Sequence, residues 1–193
     1  MTTQFLGSLK SSFRDLNPRV SGWKIFVVAL VPFLSSIFAY LQSANIWPAI
    51  LGDEWVYSTN SRHAPAGEPL IAATSNSLYS FVLSITNACG PDFYQCAKGI
   101  NAAFFGVFVL TVFLVSLRFL PFWHSAGVSL ASGVSSLSVY TSLYLPESMF
   151  YATIGLFIWL VVVGIENWKA WTWVLAGAVL GISSLVKPHA WFG

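Results

Sequence analysis

The sequence predicts an all-α polytopic membrane protein of about five transmembrane helices, with a long outer loop that carries an amphipathic helix. Three observations predict this class. The 193 residues are 56% hydrophobic and only 8% charged, whereas soluble domains carry about 25% charged residues. The mean hydropathy is +0.70. Apolar stretches close to the roughly 20 residues that a helix needs to cross a bilayer recur along the chain.

Five apolar stretches are predicted to cross the membrane. The third is rich in serine and glycine. Small residues of this kind let helices pack closely in lipid, so we expect this span to face other helices. The predicted spans comprise about residues 25–44, 100–120, 126–145, 148–165 and 171–192.

Basic residues indicate the orientation. Four of them precede the first span, and the positive-inside rule therefore places the N-terminus in the cytoplasm. Alternation of the spans then puts Arg118 and Lys169 inside and leaves three basic and five acidic residues outside. The four basic residues before the first span are Lys10, Arg14, Arg19 and Lys24. The charged residues predicted on the outer side are Arg62, Lys98, Lys187, Asp53, Glu54, Glu68, Asp92 and Glu147.

Two cysteines lie in the predicted outer loop. Six residues lie between Cys89 and Cys96, and they include the turn-forming sequence Gly90-Pro91-Asp92. A pair in an exported loop is expected to form a disulfide, whereas cytosolic thiols stay reduced. We predict a Cys89–Cys96 disulfide, with two free thiols as the alternative.

The first outer loop is predicted over residues 45–99, and loops of this length are uncommon without a function. Pro69 can open a helix in it, after which apolar residues recur on one helical face. This amphipathic helix either lies on the outer membrane surface or packs on the protein's own spans. Its apolar face comprises Leu70, Ile71, Leu78, Val82 and Ile85.

Asp53 and Glu54 stand side by side just after the first span, in a chain where charges near the bilayer are few. A carboxylate in a partly dry cleft can act as a general base, because such a cleft raises its pKa. Asp53 is the candidate base. Glu54 is a candidate to orient Asp53, to bind a divalent cation or to face water. Alternatively, both acids only favour a helix start, where the helix dipole stabilises negative charge.

Glu147, Lys187, Arg62 and His189 are the other candidate site residues. Glu147 follows a proline at a predicted helix start, which is either ordinary helix-start chemistry or a means of positioning an acceptor or a cation near Asp53. Lys187 and Arg62 are candidates to contact a phosphate, although Lys187 alternatively only extends to the membrane interface. His189 is a candidate substrate contact near the same interface, with a structural role as the alternative.

The ordered set of motifs resembles the N-terminal part of the GT-C fold glycosyltransferases, which take a sugar from a polyprenyl-phosphate carrier. Protein O-mannosyltransferases and lipid A aminoarabinose transferases are examples. In this family a first span leads to a long outer loop with an acidic motif at its start. The resemblance runs from about residue 24 to the last residue. Its motifs here are Asp53-Glu54, Pro69-Leu70, Lys98-Gly99-Ile100-Asn101, Leu145-Pro146-Glu147-Ser148 and Leu185-Val186-Lys187-Pro188.

The resemblance implies a glycosyltransferase that moves a hexosyl or pentosyl group from a polyprenyl-phosphate-linked donor to an acceptor on the periplasmic or lumenal side. The expected location is a bacterial inner (plasma) membrane. Because such enzymes have many more spans, residues 1–193 are expected to form a single transmembrane domain, the N-terminal fragment of a longer protein. A divalent cation is left open as a cofactor, and so is the oligomeric state.

Two other functional classes stay open: a fragment of a membrane transporter, and a non-catalytic polytopic scaffold. Against a transporter, the interiors of the predicted spans hold almost no ionisable residues. The sequence contains no basic patch for nucleic acid, no Gly-rich phosphate loop and no His pair at zinc spacing. Membrane lipid and the lipid-linked donor are therefore the expected partners, and nucleic acid is not.

Overall fold

The structure, a computed structural model, describes residues 22–46, 52–63 and 77–187. The regular elements in these ranges are all helical. The α-helices are α1 (Gly22–Ala44), α2 (Gly52–His63), α3 (Ser77–Leu83), α4 (Phe93–Ser116), α5 (Phe122–Gly133), α6 (Glu147–Asn167) and α7 (Ala170–Val186). Two 3-10 helices, Ser84–Asp92 and Ser136–Ser142, lie before α4 and after α5.

Three helices in the described ranges are long and apolar enough to cross a membrane, as expected for a membrane protein. They are α1 with 23 residues, the helical run Ser77–Ser116 with 40 residues, and α6 with 21 residues. The apolar helix α7 is shorter, at 17 residues. The helices α1, α6 and α7 coincide with the predicted first, fourth and fifth spans, whereas a count of five membrane crossings stays a prediction.

The predicted third span, 126–145, is not one helix. The α-helix α5 ends at Gly133, and the chain continues through the 3-10 helix Ser136–Ser142. The hydroxyls of this stretch bond to carbonyls three residues back, such as Ser138 to Ser135 at 2.9 Å and Thr141 to Ser138 at 2.7 Å. Such local bonds compete with regular α-helical structure. A hydropathy profile does not show this effect, because serine and threonine lower the local hydropathy only slightly.

The helix α4 lies at the centre and packs against α1, α5 and α6, while α7 packs on α6. Its buried residues Phe105, Val109 and Phe113 form a core with Val31 of α1 and Ala126 of α5. Several small residues of the predicted third span face other helices, as expected, whereas Gly127 and Ala131 are exposed. Ser129, for example, is buried and donates to the Val109 carbonyl at 3.1 Å.

Three glycines lie at helix crossings where an added methyl group would collide with a neighbouring side chain. Small residues at such positions let membrane helices approach closely. The pairs are Gly106 with Ser36, Gly133 with Ser35, and Gly155 with Thr111. Through them α4 meets α1, α5 meets α1 and α6 meets α4.

Contacts between the termini of neighbouring helices define two ends of the bundle. At the first, Trp23 at the start of α1 stacks on Trp123 at the start of α5, with ring centroids 5.6 Å apart. Near this end Arg118, just after α4, pairs with Glu166 at the end of α6, at 2.6 Å. We call it the Trp23 end.

At the opposite end of the bundle, Glu54 lies with the C-termini of α1 and α7 and the N-terminus of α6. Ser138 donates to Gln42 of α1 at 3.1 Å, and Glu147 of α6 pairs with Lys187 beyond α7 at 2.7 Å. We call this the Glu54 end. The residues of the two predicted membrane sides thus lie at two different ends, and which compartment each end faces stays a prediction.

The described parts of the predicted outer loop are helical rather than irregular. Pro69 lies outside the described residues, and the helix predicted after it is seen from Ser77 onward as α3. Its residues Tyr79 and Leu83 are fully buried, and α3 packs on α2 and α7. Phe81 and Ile85 are exposed on the other side. The segment therefore packs on the protein while it also presents apolar side chains outward.

Cys89 and Cys96 form a disulfide, which confirms that prediction. The bridge joins the end of the first 3-10 helix to the first turn of α4. Between the cysteines, Gly90 has a φ of 58°, a conformation that favours glycine because it has no Cβ. The turn and the bridge together fix how α4 begins.

Candidate functional site

The two neighbouring acids Asp53 and Glu54 point in different directions. Both lie in the first turn of α2, where successive side chains diverge by about 100° because a turn holds 3.6 residues. Asp53 is exposed, whereas Glu54 is only 2% exposed. The Glu54 Oε1 atom accepts a bond from the Tyr144 backbone N–H at 2.7 Å and another from the Tyr94 hydroxyl.

Two buried tyrosines, Tyr79 and Tyr144, and the partly buried Tyr94 surround Glu54; we call them the tyrosine cluster. The Tyr144 ring lies 5.9 Å from the Tyr94 ring and 6.2 Å from the Tyr79 ring. Its hydroxyl shares a 2.6 Å hydrogen bond with Ser61 at the other end of α2. Tyr144 therefore holds α2 at both ends, through its backbone and through its side chain.

The Tyr144 phenol is neutral at physiological pH. Burial raises the pKa of Tyr144 above its usual value of 10.0, while hydrogen bonds to Ser61 and Thr86 and the charge of Arg62 partly oppose this effect. A neutral phenol can both donate and accept a hydrogen bond, which suits its position between two hydroxyl groups.

Lys98 is a buried cation next to the same cluster. Its Nζ donates to the carbonyls of Ser43 at 2.8 Å and Ile46 at 2.5 Å, at the end of α1. The C-terminus of a helix carries partial negative charge and favours a cation. Lys98 thus ties the end of α1 to the start of α4.

Glu147 and Lys187, both predicted as site residues, form an ion pair. Glu147 Oε1 and Lys187 Nζ are 2.7 Å apart, and the side chains are 16% and 25% exposed. Met149 and Val186, which lie next to this ion pair in the chain, share a buried core with Tyr79 and Tyr144. The ion pair therefore lies close to the tyrosine cluster.

Several buried oxygens at the Glu54 end have no hydrogen-bond partner within the described ranges. They include the second carboxylate oxygen of Glu54 and that of Glu147, together with the hydroxyls of Ser80 and Ser148. A buried polar atom without a partner costs roughly 1–3 kcal/mol. The site therefore has hydrogen-bonding oxygens, two of them carboxylate oxygens, that no described residue uses.

The other predicted residues are less closely grouped. Arg62, at the end of α2, is exposed; its guanidinium lies 4.9 Å from the Phe93 ring centroid, and its Nε donates to the Ser58 carbonyl at 3.4 Å. His189 lies outside the described residues. Among the residues that are described, no three His, Cys, Asp or Glu side chains come together as metal ligands.

Sequence reasoning did not single out the tyrosine cluster or Ser61, and it noted Lys98 and Asn101 only as part of a motif. Asn101 is fully buried and donates to the Leu143 carbonyl at 2.8 Å. The available signal was a concentration of tyrosines and small polar residues near the acidic motif. The pairing itself joins residues 90 positions apart, such as Glu54 and Tyr144, which local patterns do not reveal.

The chain matches no protein-family model, no curated protein and no solved structure. Its function is therefore inferred from its motifs and from the geometry of the Glu54 end.

Proposed function

We propose that this chain belongs to a GT-C-like membrane glycosyltransferase that moves a sugar from a polyprenyl-phosphate carrier to an acceptor at the Glu54 end of the bundle. The observation that carries the proposal is the convergence at this end of charged residues from separate helices. Glu54, Glu147 and Lys187 lie around the tyrosine cluster, and Asp53 is exposed beside them. A lipid-linked donor is anchored in the membrane, and helices long enough to cross a bilayer would hold the protein in that membrane.

Asp53 is the proposed general base. Because Asp53 is exposed, an acceptor molecule from solution can contact its carboxylate directly. A general base must make such contact with the group whose proton it takes. Asp53 would take the proton of the acceptor's nucleophilic atom as this atom bonds to the anomeric carbon. The bond from that carbon to the carrier phosphate breaks, and the phosphate oxygen keeps its electron pair.

Glu54 is the proposed positioning residue. Its carboxylate is buried and bonded to Tyr94 and to the Tyr144 backbone, so it anchors the first turn of α2 and thereby orients Asp53. Lys187 is the proposed contact of the carrier phosphate, held by Glu147 until the phosphate competes for it. An ammonium binds phosphate as a point charge. Arg62 and His189 are further candidates for donor contact.

A transfer assay on the whole protein in membranes tests the proposal. The substrates are a panel of polyprenyl-phosphate sugars, and the readout is the released polyprenyl phosphate, which every acceptor would yield. Asp53→Asn should lower turnover by about 100-fold or more, in line with general-base contributions. Glu54→Gln, which keeps an acceptor oxygen for Tyr144, should lower it less.

Asp92→Asn is the matched control, because Asp92 is another exposed acid in the predicted outer segment. Its turnover should stay near that of the unchanged protein. A folded Asp53→Asn protein that transfers sugar at the normal rate would refute the assignment of Asp53. If no member of the panel is a substrate, the proposed function itself is wrong.

A further inference from the structure

Exposed tryptophans are concentrated at the Trp23 end of the bundle. Of the seven tryptophans in the described ranges, five lie there, and each of these is at least 42% exposed. An indole has an apolar body and one N–H donor, which suits the boundary between hydrocarbon and water. We call the five residues the indole collar; they are Trp23, Trp123, Trp168, Trp171 and Trp173.

The indole collar occupies both sides of the bundle. The helix α4 lies between the pair α1 and α5 and the pair α6 and α7. Trp23 and Trp123 lie in the first turns of α1 and α5, whereas the other three rings belong to the α6–α7 turn and to α7. A protein partner would cover one side of the bundle, whereas a bilayer leaflet meets every side at the same level. The distribution of the rings therefore favours a lipid surface.

The described charges at the two ends of the bundle have opposite net signs. At the Trp23 end, the three basic residues Lys24, Arg118 and Lys169 accompany one acid, Glu166. At the Glu54 end, four acids outnumber three basic residues. An anionic membrane surface attracts basic residues that lie close to it. The Trp23 end is therefore the end that complements anionic headgroups.

Lys24 and Lys169 hold ammonium groups that no carboxylate neutralises within residues 22–46, 52–63 and 77–187. There, the basic residue Arg118 pairs with Glu166, but neither lysine forms an ion pair. The Lys24 Nζ atom lies 5.8 Å from the Trp23 ring centroid and 5.5 Å from the Phe122 ring centroid. An ammonium has three N–H donors. Both lysines can therefore donate to a phosphate oxygen.

Trp168 has a backbone conformation that rarely suits a bulky side chain. Its φ of 51° and ψ of 28° lie in the left-handed region, which costs free energy for a residue with a Cβ and is usually left to glycine at a helix end. The residue is nevertheless 73% exposed, so its contacts with the described residues offset little of that cost. In a headgroup layer, the ring would gain contacts that the protein does not supply.

We infer that the Trp23 end lies in the headgroup layer of an anionic leaflet, and that Lys24 and Lys169 bind the phosphates of its phospholipids. The indole collar sets the depth of the bundle, and the two lysines select anionic headgroups. Under the predicted orientation this leaflet is the cytoplasmic one, where anionic lipids attract basic segments. The inference goes beyond the proposed sugar transfer, which concerns the opposite end.

A lipid titration of the full-length protein in a neutral detergent tests the inference. Phosphatidylglycerol, phosphatidylcholine and inorganic phosphate are added separately, and the rise of the unfolding temperature gives the apparent affinity. Phosphatidylglycerol should bind about 10-fold or more tightly than phosphatidylcholine, because each lysine near an anionic surface contributes about fivefold. Added salt should weaken this preference, because it screens the charges. Inorganic phosphate should not raise the unfolding temperature.

Crosslinking locates the bound lipid. The probe is a phosphatidylglycerol with a diazirine on its headgroup, incorporated with the protein into nanodiscs. Mass spectrometry should map the crosslinks to the first turns of α1 and α5 and to the α6–α7 turn.

Replacing both lysines tests their role. Lys24→Gln combined with Lys169→Gln should lower the affinity for phosphatidylglycerol by about 10-fold or more, and it should leave the affinity for phosphatidylcholine unchanged. Lys24→Arg combined with Lys169→Arg is the matched control. It keeps both charges and should bind phosphatidylglycerol as the unchanged protein does.

Trp168→Gly separates the role of the indole ring from folding. Glycine accepts the left-handed conformation without a Cβ clash, so the unfolding temperature without lipid should stay equal or rise, while the affinity for phosphatidylglycerol should fall. Trp55→Ala removes an exposed tryptophan of the Glu54 end. This control should keep the affinity of the unchanged protein.

Several outcomes would overturn the inference: equal affinity for the two phospholipids, stabilisation by inorganic phosphate, crosslinks that map to the Glu54 end, or undiminished affinity after both lysines are replaced by glutamine. A lower unfolding temperature of Trp168→Gly without lipid would show that the ring packs on the protein instead. If the glutamine variant does not fold, the crosslink map and the salt dependence still decide. None of these measurements involves sugar transfer, so this inference and the proposed function fail independently.

Discussion

Ion pairing and burial decide what each charged residue at the Glu54 end can do. Glu54 is committed to two hydrogen bonds, Glu147 and Lys187 are committed to each other, and Asp53 is exposed. Of these four residues, only Asp53 is exposed to a molecule from solution. The adjacent pair Asp53-Glu54 could be recognised from sequence, but which of the two is buried depends on Tyr94 and Tyr144, which come from distant segments.

The Glu147–Lys187 pair should show energetic coupling. Both side chains are mostly buried, so replacing Lys187 by Met leaves a carboxylate without its cation, at a cost of about 1–2 kcal/mol, between the values for exposed and buried pairs. Adding Glu147→Gln should recover part of this loss. Unfolding in detergent of both single variants and the double variant measures the coupling. Strictly additive effects would contradict it.

Tyr144 should make stability depend on pH in the alkaline range. Burial, the largest cause, raises the pKa of Tyr144 in the folded protein above the unfolded value of about 10. Its contribution is therefore fully present below about pH 10 and is lost as the pH rises through the folded-state pKa. The unfolding temperature should fall more steeply above pH 10 in the unchanged protein than in Tyr144→Phe. Parallel curves would show that Tyr144 does not titrate as expected.

At the scale of the elements, close helix packing depends on a few glycines. A side chain at Gly155 would collide with Thr111 of α4, whereas Gly177 of α7 has open space around it. Periodicity identified α1, α6 and α7 well, because their apolar runs are long and continuous. It did not identify the break after α5, where Gly133 and the serine hydroxyls end the α-helix.

Gly155→Leu should destabilise the protein by about 1–3 kcal/mol, because overpacking forces α4 and α6 apart. Gly177→Leu is the matched control. It gains the same helix propensity and should leave the stability nearly unchanged, within about 0.5 kcal/mol. Thermal unfolding of both variants in one detergent gives the comparison. Equal stability of the two variants would mean that α4 and α6 do not meet at Gly155.

At the scale of the whole molecule, α6 carries an ion pair at each end. Glu147 pairs with Lys187 at the Glu54 end, and Glu166 pairs with Arg118 near the Trp23 end. The alternation of charges along the sequence predicted this division into two sides. Its physical basis is that a helix that crosses a bilayer brings only its ends to water, so charges gather there. The orientation in the membrane stays a prediction.

Labelling of single cysteines with an impermeant maleimide tests this orientation. Suitable positions are the exposed residues Trp55, Trp123 and Trp168, and the native cysteines do not compete because they are paired. Position 55 should react in intact cells. Positions 123 and 168 should react only after permeabilisation. Reaction at either of these two from outside would reverse the predicted topology.

The Cys89–Cys96 bridge also bears on how the protein matures. Asn87, which donates to the Ser61 carbonyl at 3.1 Å, lies two residues before Cys89. Tyr94, which binds Glu54, lies within the loop that the bridge closes. A bridge of this kind forms only in an oxidising compartment. Under the predicted topology, a newly synthesised chain completes the support of α2 only after this segment has been translocated. We expect the acidic residues to take up their final arrangement as a late step of biogenesis, on the far side of the membrane from the ribosome.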